Sequence, residues 1–576
     1  MVDARGRGGR LRKTFRLQAG LLGDAIAAGI ADAERAMFGL WRRDPSVWSR
    51  DAAVQRTIAN RLGWLSSPRL MAESIGRLRA FAASVKDAGF TDVVLLGMGG
   101  SSLAPEVLRA VLGVAPGWPR FQMLDSTDPA AVAAVRTPPG QTLYLFASKS
   151  GTTIEPNVLA AHFRAALEQA GVPRWADHFV AITDEGTALA KRAQSEHFRD
   201  VFINPSDIGG RYSALSFFGM VPAALMGHDL DALTGWGVAM LAESDPGSGD
   251  VRANPAAALG LALGSAARAG RDKLTLLLPP ALEPFGLWVE QLVAESTGKN
   301  GTGIIPIAGE ALTRASVHAP DRMFVRLGLQ GAAGHDARDS DVRELKAANA
   351  PFAEIELPEA AALGAEFVRW EIGAAIAGAM LHINPFDEPN VQQAKDATRR
   401  LLDAYTAQGR LPAPTPDRTA DGTGTLTLSA AARGELGGRD PDAILTLIKP
   451  GDYLALLAYL GPDGDLFEAL RTLRLAVRDR TSVATMFGYG PRYLHSTGQL
   501  HKGGPNTGVF IMVTATARED PLIPREPFSF GTLELAQALG DFASLDAAGR
   551  RALHVHLAAP DRAAIEHIAA AMLGRL

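Results

Sequence analysis

Short apolar runs alternate with amphipathic segments over much of this chain. The run at 91–97 (TDVVLLG) is apolar almost throughout, a pattern typical of a strand buried on both faces of a parallel sheet. Comparable runs predict further strands at 121–124, 142–147, 179–183 and 201–204. Helical patterns lie between them, at 104–112, 130–135, 156–170 and 188–193. This alternation predicts a doubly wound α/β domain over residues 90–250.

The same alternation resumes after residue 250 and predicts a second domain of this kind. Its predicted strands are 273–278, 323–327 and 352–357, and its helices are 254–268, 285–294 and 367–380. The predicted fold class is therefore α/β, with doubly wound parallel-sheet domains over residues 90–250 and 251–406.

The remaining segments are predicted to flank these two domains. Residues 1–89 have helical spacing and form a predicted N-terminal cover, which begins with a basic stretch expected to be a frayed tail. Residues 407–440 are rich in Pro, Thr, Asp and Gly and are predicted to be a linker. Residues 441–576 have both strand and helix patterns and are predicted to form a C-terminal α/β unit.

Composition limits the classes of protein that this chain can represent. Its 576 residues are too many for one hydrophobic core, and the net charge of −4 argues against a dedicated nucleic-acid binder. No apolar run approaches the roughly 18 residues that cross a bilayer. The chain has no cysteine, which fits a reducing compartment. We therefore expect a cytoplasmic protein without nucleic-acid or membrane partners.

Two loops that follow predicted strands carry the residues of a ligand site. In doubly wound sheets, ligands bind outside the carboxyl ends of the strands. The loop at 97–102 is GMGGSS, and its last residue, Ser102, replaces the third glycine of a dinucleotide fingerprint. The loop at 148–153 is SKSGTT and opens a helix, so its hydroxyls and free N–H groups suit a phosphate dianion. Glu155 is expected to complement the dipole of that helix.

Three further positions have the character of catalytic groups. Glu295 ends an apolar helix that Gly298 terminates, and burial at such a point raises a carboxyl pKa toward that of a general base. Gln291, four residues earlier, shares its helix face. Arg211 follows a Gly-Gly pair that allows close backbone approach, and its fixed charge suits a developing oxyanion.

The sequence leaves the remaining acid–base group open among several residues. Asp387 is predicted to cap a helix on which Glu388 and Lys395 lie two turns apart on one face. His495 lies in a Gly/Pro-rich loop, which favours a site histidine over a core histidine. His501 and Lys502 could serve equally well.

Together these motifs resemble those of the phosphoglucose isomerase family. The matching stretches are GMGGSSLAPE, SKSGTT, GGRYSA, QLVAESTGKNGTG, NPFDEPNVQQAK and LHSTGQ. The resemblance implies two sugar-isomerase (SIS-type) domains and a reversible aldose–ketose isomerisation of glucose 6-phosphate and fructose 6-phosphate through a cis-enediol, as in glycolysis and gluconeogenesis. It implies no cofactor and no metal, a sugar phosphate as the partner molecule, and a homo-oligomer as a possible assembly.

The resemblance also implies a role for each candidate residue. Glu295 would be the base, Arg211 would stabilise the enediolate, and Lys395 and His495 would open the sugar ring. The remaining candidates would bind substrate: Gly100, Ser101, Ser148, Lys149 (through its backbone), Ser150, Thr152, Thr153, Gln291 and Glu388.

The chain departs from the usual family pattern at two points. Lys395 precedes His495, whereas the histidine motif usually comes first, so residues 441–576 would have to fold back and complete the second domain and the active site. This order resembles the isomerase half of transaldolase–isomerase fusions. Glu388 stands where many members have Gln. A non-catalytic sugar-phosphate-sensing module is the alternative function, and Ser102 disfavours a nicotinamide enzyme.

Overall fold

The computed structural model describes residues 4–311, 318–331, 339–420 and 423–576. Residues 1–3 of the predicted N-terminal cover, 312–317 and 332–338 of the predicted second domain, and 421–422 of the predicted linker lie outside these ranges. Within the described ranges, no helix is both long and apolar enough to cross a membrane.

The strands are β1 (Phe15–Gln18), β2 (Asp92–Leu96), β3 (Arg120–Leu124), β4 (Thr142–Ala147), β5 (Phe179–Asp184), β6 (Asp200–Asn204), β7 (Lys273–Leu277), β8 (Ile305–Ile307), β9 (Arg322–Leu329), β10 (Phe352–Leu357), β11 (Arg418–Ala420), β12 (Gly424–Leu428), β13 (Tyr453–Tyr459), β14 (Ala484–Tyr489), β15 (Gly508–Ala515) and β16 (Arg551–Leu557).

The α-helices are α1 (Ala4–Leu11), α2 (Gly23–Trp41), α3 (Ala52–Ala59), α4 (Ser67–Asp87), α5 (Leu103–Leu112), α6 (Pro129–Ala134), α7 (Ile154–Gln169), α8 (Ala188–Ser195), α9 (Phe217–Leu225), α10 (Leu230–Glu243), α11 (Ala257–Arg268), α12 (Glu283–Thr297), α13 (Asp339–Ala347), α14 (Leu363–Met380), α15 (Val391–Gln408), α16 (Ala430–Leu436), α17 (Gly464–Thr481), α18 (Gly498–Gly503), α19 (Phe530–Ala547) and α20 (Arg562–Leu573).

The first sheet is parallel throughout, in the order β3–β2–β4–β5–β6. Every residue of β2 is buried, as its continuous apolar run predicts. The chain builds outward from β2 to β3 on one side and from β4 to β6 on the other. The loops after β2 and β4 therefore meet at the point where the strand order reverses, which is the usual ligand position in such sheets. The predicted α/β fold class is confirmed.

The second sheet has the order β1–β10–β9–β7–β8 and is parallel except for β1. β1 comes from the N-terminal segment and pairs antiparallel with β10, Phe15 opposite Ile355. The expectation of a frayed tail is therefore wrong for the described part of this segment. β10 would otherwise expose an unpaired edge, and Phe15 and Leu17 pack against the core of the protein.

A third sheet, in the order β11–β12–β16–β15–β13–β14, forms from the C-terminal part of the chain. β13 to β16 are mutually parallel, and β12 and β11 extend the β16 edge in antiparallel fashion. The predicted linker is therefore wrong over its second half, which contributes β11, β12 and α16. The alternating pattern of GTLTL supplies the reason, because Leu426 and Leu428 enter the core of this sheet.

The C-terminal unit packs against both other sheets instead of adding strands to the second. One face of its sheet has a core of its own, closed by α17 and α20. Its other face shares a core with Ala294, Ile305 and Ile307 of the second unit. Phe528 and Phe530 join the core beneath α7 of the first unit. The three units therefore converge around the carboxyl end of α12.

Candidate active site

Glu295 lies in the last turn of α12, and its side chain is buried. Its Oε1 is 3.3 Å from Nη1 of Arg211, and its Oε2 accepts a hydrogen bond of 3.3 Å from Nε2 of Gln291. Burial raises the pKa of the Glu295 carboxyl above its ordinary value, and the Arg211 charge opposes that rise without cancelling it. A carboxylate of this kind accepts a proton more readily than an exposed one.

Arg211 is held rigidly by the backbone and side chains around it. Its Nη2 donates to the carbonyl oxygens of Pro385 (2.7 Å) and Asp387 (2.8 Å), and its Nε donates to Ser296 Oγ (2.9 Å). Its Nη1 donates to Glu388 Oε2 at 3.1 Å. Burial alone would lower the pKa of Arg211, but the Glu295 and Glu388 carboxylates raise it, so the guanidinium stays charged.

The glycines of the GMGGSS loop allow it to approach the segments that carry Gly210 and His495. Gly99 has a φ of +54°, and a Cβ there would lie 2.6 Å from the carbonyl oxygen of His495. A Cβ on Gly100 would lie 2.1 Å from the carbonyl oxygen of Gly210, next to Arg211. Ser101 is buried in the same loop. Larger residues at these glycines would push both Arg211 and His495 away from the loop.

Asp125 ties the same loop to the C-terminal unit. It accepts hydrogen bonds from Ser102 Oγ (3.2 Å) and from Nη2 of Arg492 (2.7 Å). In a dinucleotide site an acid at this position would bind a ribose. Here it fixes the segment that leads to His495.

His495 lies beside Glu295, although 200 residues separate the two in the chain. The Nε2 atom of Gln291 contacts Glu295 Oε2 and also donates to the carbonyl oxygen of His495 at 2.8 Å. The imidazole Nε2 of His495 lies 2.9 Å from Glu155 Oε1. The rearranged order of the motifs therefore still brings His495 next to Glu295.

Glu155 was predicted only as a partner of its helix dipole, and that interpretation missed its contacts. Its carboxylate is buried, pairs with His495 and accepts a hydrogen bond of 2.7 Å from Nε2 of Gln537. Burial would raise its pKa, but the charges of His495 and Lys395 hold that pKa below its ordinary value. The one local signal was its position directly after the SKSGTT loop.

The two alternatives to His495 lie inside the C-terminal unit. The His501 ring packs between Tyr453 and Phe510, and burial lowers its pKa well below the ordinary value. Lys502 forms a buried ion pair of 2.6 Å with Asp541. Both side chains are therefore occupied in a core, whereas the His495 imidazole faces Glu155.

The segment before α15 differs from its prediction. α15 begins at Val391 after Asn390, so Asp387 does not cap it and Glu388 is not on it. Pro389 supplies the reason, because the residue before a proline avoids the helical region. Glu388 instead reaches Arg211 from the loop before α15. Lys395 is on α15 and lines a cavity of about 380 Å³ together with Thr152, Thr153, Glu155 and His495.

Lys299 is a further buried charge at this site that was not predicted. Its Nζ donates to the carbonyl oxygen of Asn384 (2.5 Å) and to Asp387 Oδ1 (2.8 Å). Burial lowers its pKa to about 8. It ties the 384–388 segment, which holds Arg211, to the end of α12. A lysine inside the Gly-rich turn after Glu295 was the available signal.

The SKSGTT loop presents hydroxyls at an uncapped helix end. Thr153 precedes α7 without a side-chain capping hydrogen bond. Ser148 Oγ lies 3.3 Å from Thr153 Oγ1, and Ser150 Oγ lies 3.0 Å from Thr152 Oγ1. The Lys149 ammonium instead binds Asp184 and the carbonyl oxygen of Ser206. The hydroxyls and the first N–H groups of α7 can therefore hold an anion beside Lys395 and His495.

This arrangement can move a proton next to a developing negative charge. The buried Glu295 carboxylate of raised pKa lies against the fixed guanidinium of Arg211, and Gln291 connects it to the backbone of His495, whose imidazole contacts Glu155. The helix end of the SKSGTT loop faces the cavity beside Lys395 and His495, which Glu295 and Arg211 do not line. These are the groups that proton abstraction next to a carbonyl requires.

Comparison with known proteins points to one family. Residues 76–301 match a family described as phosphoglucose isomerase. The chain is 29% identical over 404 residues to glucose-6-phosphate isomerase of Rubrobacter xylanophilus, a match that covers 62% of this chain and 92% of that protein. It is 30% identical over 380 residues to a probable glucose-6-phosphate isomerase of Haloarcula marismortui, covering 59% of this chain and 84% of that protein.

A solved structure shares the fold. A hypothetical protein of Thermus thermophilus superposes with a TM-score of 0.56 at 24% identity, over 67% of this chain and 99% of the other. The matched segment and the two sequence relatives show that this chain belongs to the phosphoglucose isomerase family of isomerase enzymes.

Proposed function

We propose that this protein interconverts glucose 6-phosphate and fructose 6-phosphate through a cis-enediol intermediate, with Glu295 as the base. The observation that carries the proposal is the position of the Glu295 carboxylate, which is buried with a raised pKa and contacts both Arg211 and Gln291. The names of the sequence relatives support glucose 6-phosphate as the aldose, and fructose 6-phosphate is the ketose that an isomerisation between C1 and C2 forms from it. The reaction belongs to glycolysis and gluconeogenesis, and the proposed compartment is the cytoplasm.

Proton transfer at the sugar follows from these contacts. Glu295 takes the proton from C2 of the open-chain aldose, and the electron pair of that C–H bond moves toward the C1 carbonyl oxygen. Arg211 stabilises the negative charge on the enediol oxygens with a guanidinium that needs no reorganisation. Glu295 then returns the carbon-bound proton to C1, while the proton of the C2 hydroxyl passes to the C1 oxygen and the C2 oxygen becomes the carbonyl, so that the ketose forms without any net change in atoms or electrons.

Ring opening precedes this step for a cyclic substrate. A proton must leave the anomeric hydroxyl, and another must reach the ring oxygen. His495, held by Glu155 at 2.9 Å, is the group proposed for this exchange, and the Lys395 ammonium lines the same cavity. The Glu155 carboxylate fixes the orientation of the imidazole through this contact.

Turnover of fructose 6-phosphate tests the proposal directly. The purified protein is expected to form glucose 6-phosphate, detected as NADPH after addition of glucose-6-phosphate dehydrogenase. Binding of fructose 6-phosphate without any turnover would favour the alternative, a sugar-phosphate sensor, and would contradict the proposed reaction.

The SKSGTT loop and the first turn of α7 form the proposed phosphate cradle. Removal of two hydroxyls of this cradle is expected to weaken substrate binding. In the Ser148→Ala/Thr153→Ala variant each lost hydrogen bond to a charged phosphate costs about 1.5–3 kcal/mol. KM for fructose 6-phosphate should therefore rise by roughly 10-fold or more for each hydroxyl, with a smaller change in kcat. Inhibition by a neutral sugar serves as the control. If only the neutral sugar bound less tightly, the phosphate would lie elsewhere.

The pH profile of kcat/KM should depend on Glu388. Glu295 is active when ionised, so the rate falls as pH drops through its raised pKa. The Glu388 carboxylate contributes to that rise. In Glu388→Gln the acid limb of kcat/KM should therefore move to lower pH, as measured across buffers of constant ionic strength. An unmoved limb would show that Glu388 does not act on the base.

A further inference from the structure

The third sheet has its own point of strand-order reversal, and the proposed reaction makes no use of it. β13 lies between β14 on one side and β15 and β16 on the other. In the first sheet the equivalent reversal lies between β2 and β4, and the GMGGSS and SKSGTT loops follow those strands. The equivalent loops of the third sheet are 460–463, after β13, and 516–521, after β15. Open α/β sheets bind ligands at this position.

A cavity of about 920 Å³ lies at these loops. Both loops line it, together with α6 and α7 of the first unit and α19 of the C-terminal unit. Its volume is in the range of small-molecule sites. It has no lining residue in common with the cavity beside Lys395 and His495.

Glu534, on α19, is a buried acid in the wall of this cavity. Its side chain belongs to a residue that is 6% exposed, and its Oε1 atom has no hydrogen-bond partner in the described part of the chain. Burial, together with the Asp128 and Asp520 carboxylates, raises the pKa of Glu534 well above its ordinary value. A buried carboxyl without a partner is costly unless a ligand or a proton satisfies it.

Three of the other acids of the cavity are already bonded to backbone N–H groups, and the fourth, Glu519, is exposed. Asp128 caps α6 through Ala131, and Asp463 caps α17. Asp520 accepts from Ser529 Oγ and from the N–H of Gly531. The capped helix ends therefore offer no site for an anion. Their carboxylates instead make the cavity negative, and Glu534 is the acid that retains a free oxygen.

We propose that this cavity is a second ligand site, separate from the site of Glu295 and His495, which binds a small organic molecule through an ammonium group held by Glu534. An ammonium supplies hydrogen-bond donors to the Glu534 carboxyl, and it gains from the surrounding negative charge. Arg136 and Arg518 also line the cavity, but the five acidic side chains outnumber them, and Nη2 of Arg518 donates to the carbonyl oxygen of Pro560.

A matched pair of probes tests this proposal on the full chain. Cyclohexylammonium and cyclohexanol have the same ring and differ in the charged group. Saturation-transfer NMR at pH 7.5 should detect binding of the amine and much weaker binding of the alcohol. Saturating fructose 6-phosphate should leave the amine signal unchanged, because the two sites share no residues. This last arm separates the second site from the proposed active site, whatever the protein does with fructose 6-phosphate.

Two cavity variants and one control variant test whether the amine binds in this cavity. Glu534→Gln should weaken amine binding at least 10-fold, whereas Glu468→Gln, on α17 outside the cavity lining, should leave it unchanged. Ala133→Trp should block the cavity from an exposed position on α6, which keeps the test valid if Glu534→Gln does not fold. Equal binding of amine and alcohol, displacement by fructose 6-phosphate, or full binding in both cavity variants would overturn the proposal.

Discussion

Glu295→Gln is expected to abolish isomerisation while sugar-phosphate binding survives. The amide cannot accept the C2 proton, and loss of a positioned base typically costs about 10²–10⁴-fold in rate; a base with no substitute nearby should lie at the upper end. The amide remains the same size and can still accept from Gln291, so the fold and the cradle are preserved. The measurements are kcat for fructose 6-phosphate and Kd for a sugar-phosphate inhibitor.

The matched control is Glu290→Gln on the same helix. Glu290 is also buried, and burial raises its pKa to about 7, but its Oε1 accepts from the N–H of Ala308. A glutamine oxygen can make that contact, so turnover should stay within a few-fold of the unmodified protein. Deuterium exchange at C2 in D₂O gives a second readout, and exchange that persisted in Glu295→Gln would remove Glu295 from the role of base.

The parts of the fold that were predicted correctly depend on local pattern. The strands of the first sheet were found because β2 and β4 are apolar after their first residue, as is typical of a strand buried on both faces. β1 was missed because it has four residues of half-buried, mixed character and exists through pairing with β10, more than 300 residues later. Tertiary context overrides a weak local signal of this kind.

The site residues also divide into those with a local sequence signal and those without one. Glu295 and Gln291 could be predicted together because helix spacing alone puts residues four apart on one face. The pairing of His495 with Glu155 spans 340 residues and has no local signature. The prediction for Asp387 was wrong because Pro389 delays the start of α15, and a carboxylate that no longer caps a helix pairs with Lys299 instead.

The rearranged order of motifs has a structural consequence for the proposed mechanism. The loop that carries His495 follows β14, the edge strand of the C-terminal sheet, and Asp125 of the first unit anchors it through Arg492. The ring-opening group therefore comes from a different unit than the base. Its contribution should be separable from proton transfer between C1 and C2.

His495→Ala is expected to slow turnover of cyclic substrate and to spare an open-chain one. Glucose 6-phosphate must lose its ring bond before Glu295 can act, so we expect a loss of roughly 10²-fold in kcat/KM, the low end for a positioned acid–base group. 5-Deoxyfructose 6-phosphate stays open, because it lacks the C5 hydroxyl that closes the furanose ring and its C6 oxygen is esterified. Its kcat/KM should change only a few-fold, because Glu295, Arg211 and the cradle remain intact.

Glu155 and an exposed histidine provide the controls for this prediction. If Glu155 acts through His495, then Glu155→Gln should slow the cyclic substrate, and the double variant His495→Ala/Glu155→Gln should be hardly slower than His495→Ala alone. His567→Ala, exposed on α20, should change neither substrate. Equal losses on the cyclic and 5-deoxy substrates would instead assign His495 to the isomerisation step or to the shape of the site. A residue that acts only in ring opening should not affect the turnover of a substrate whose chain is already open.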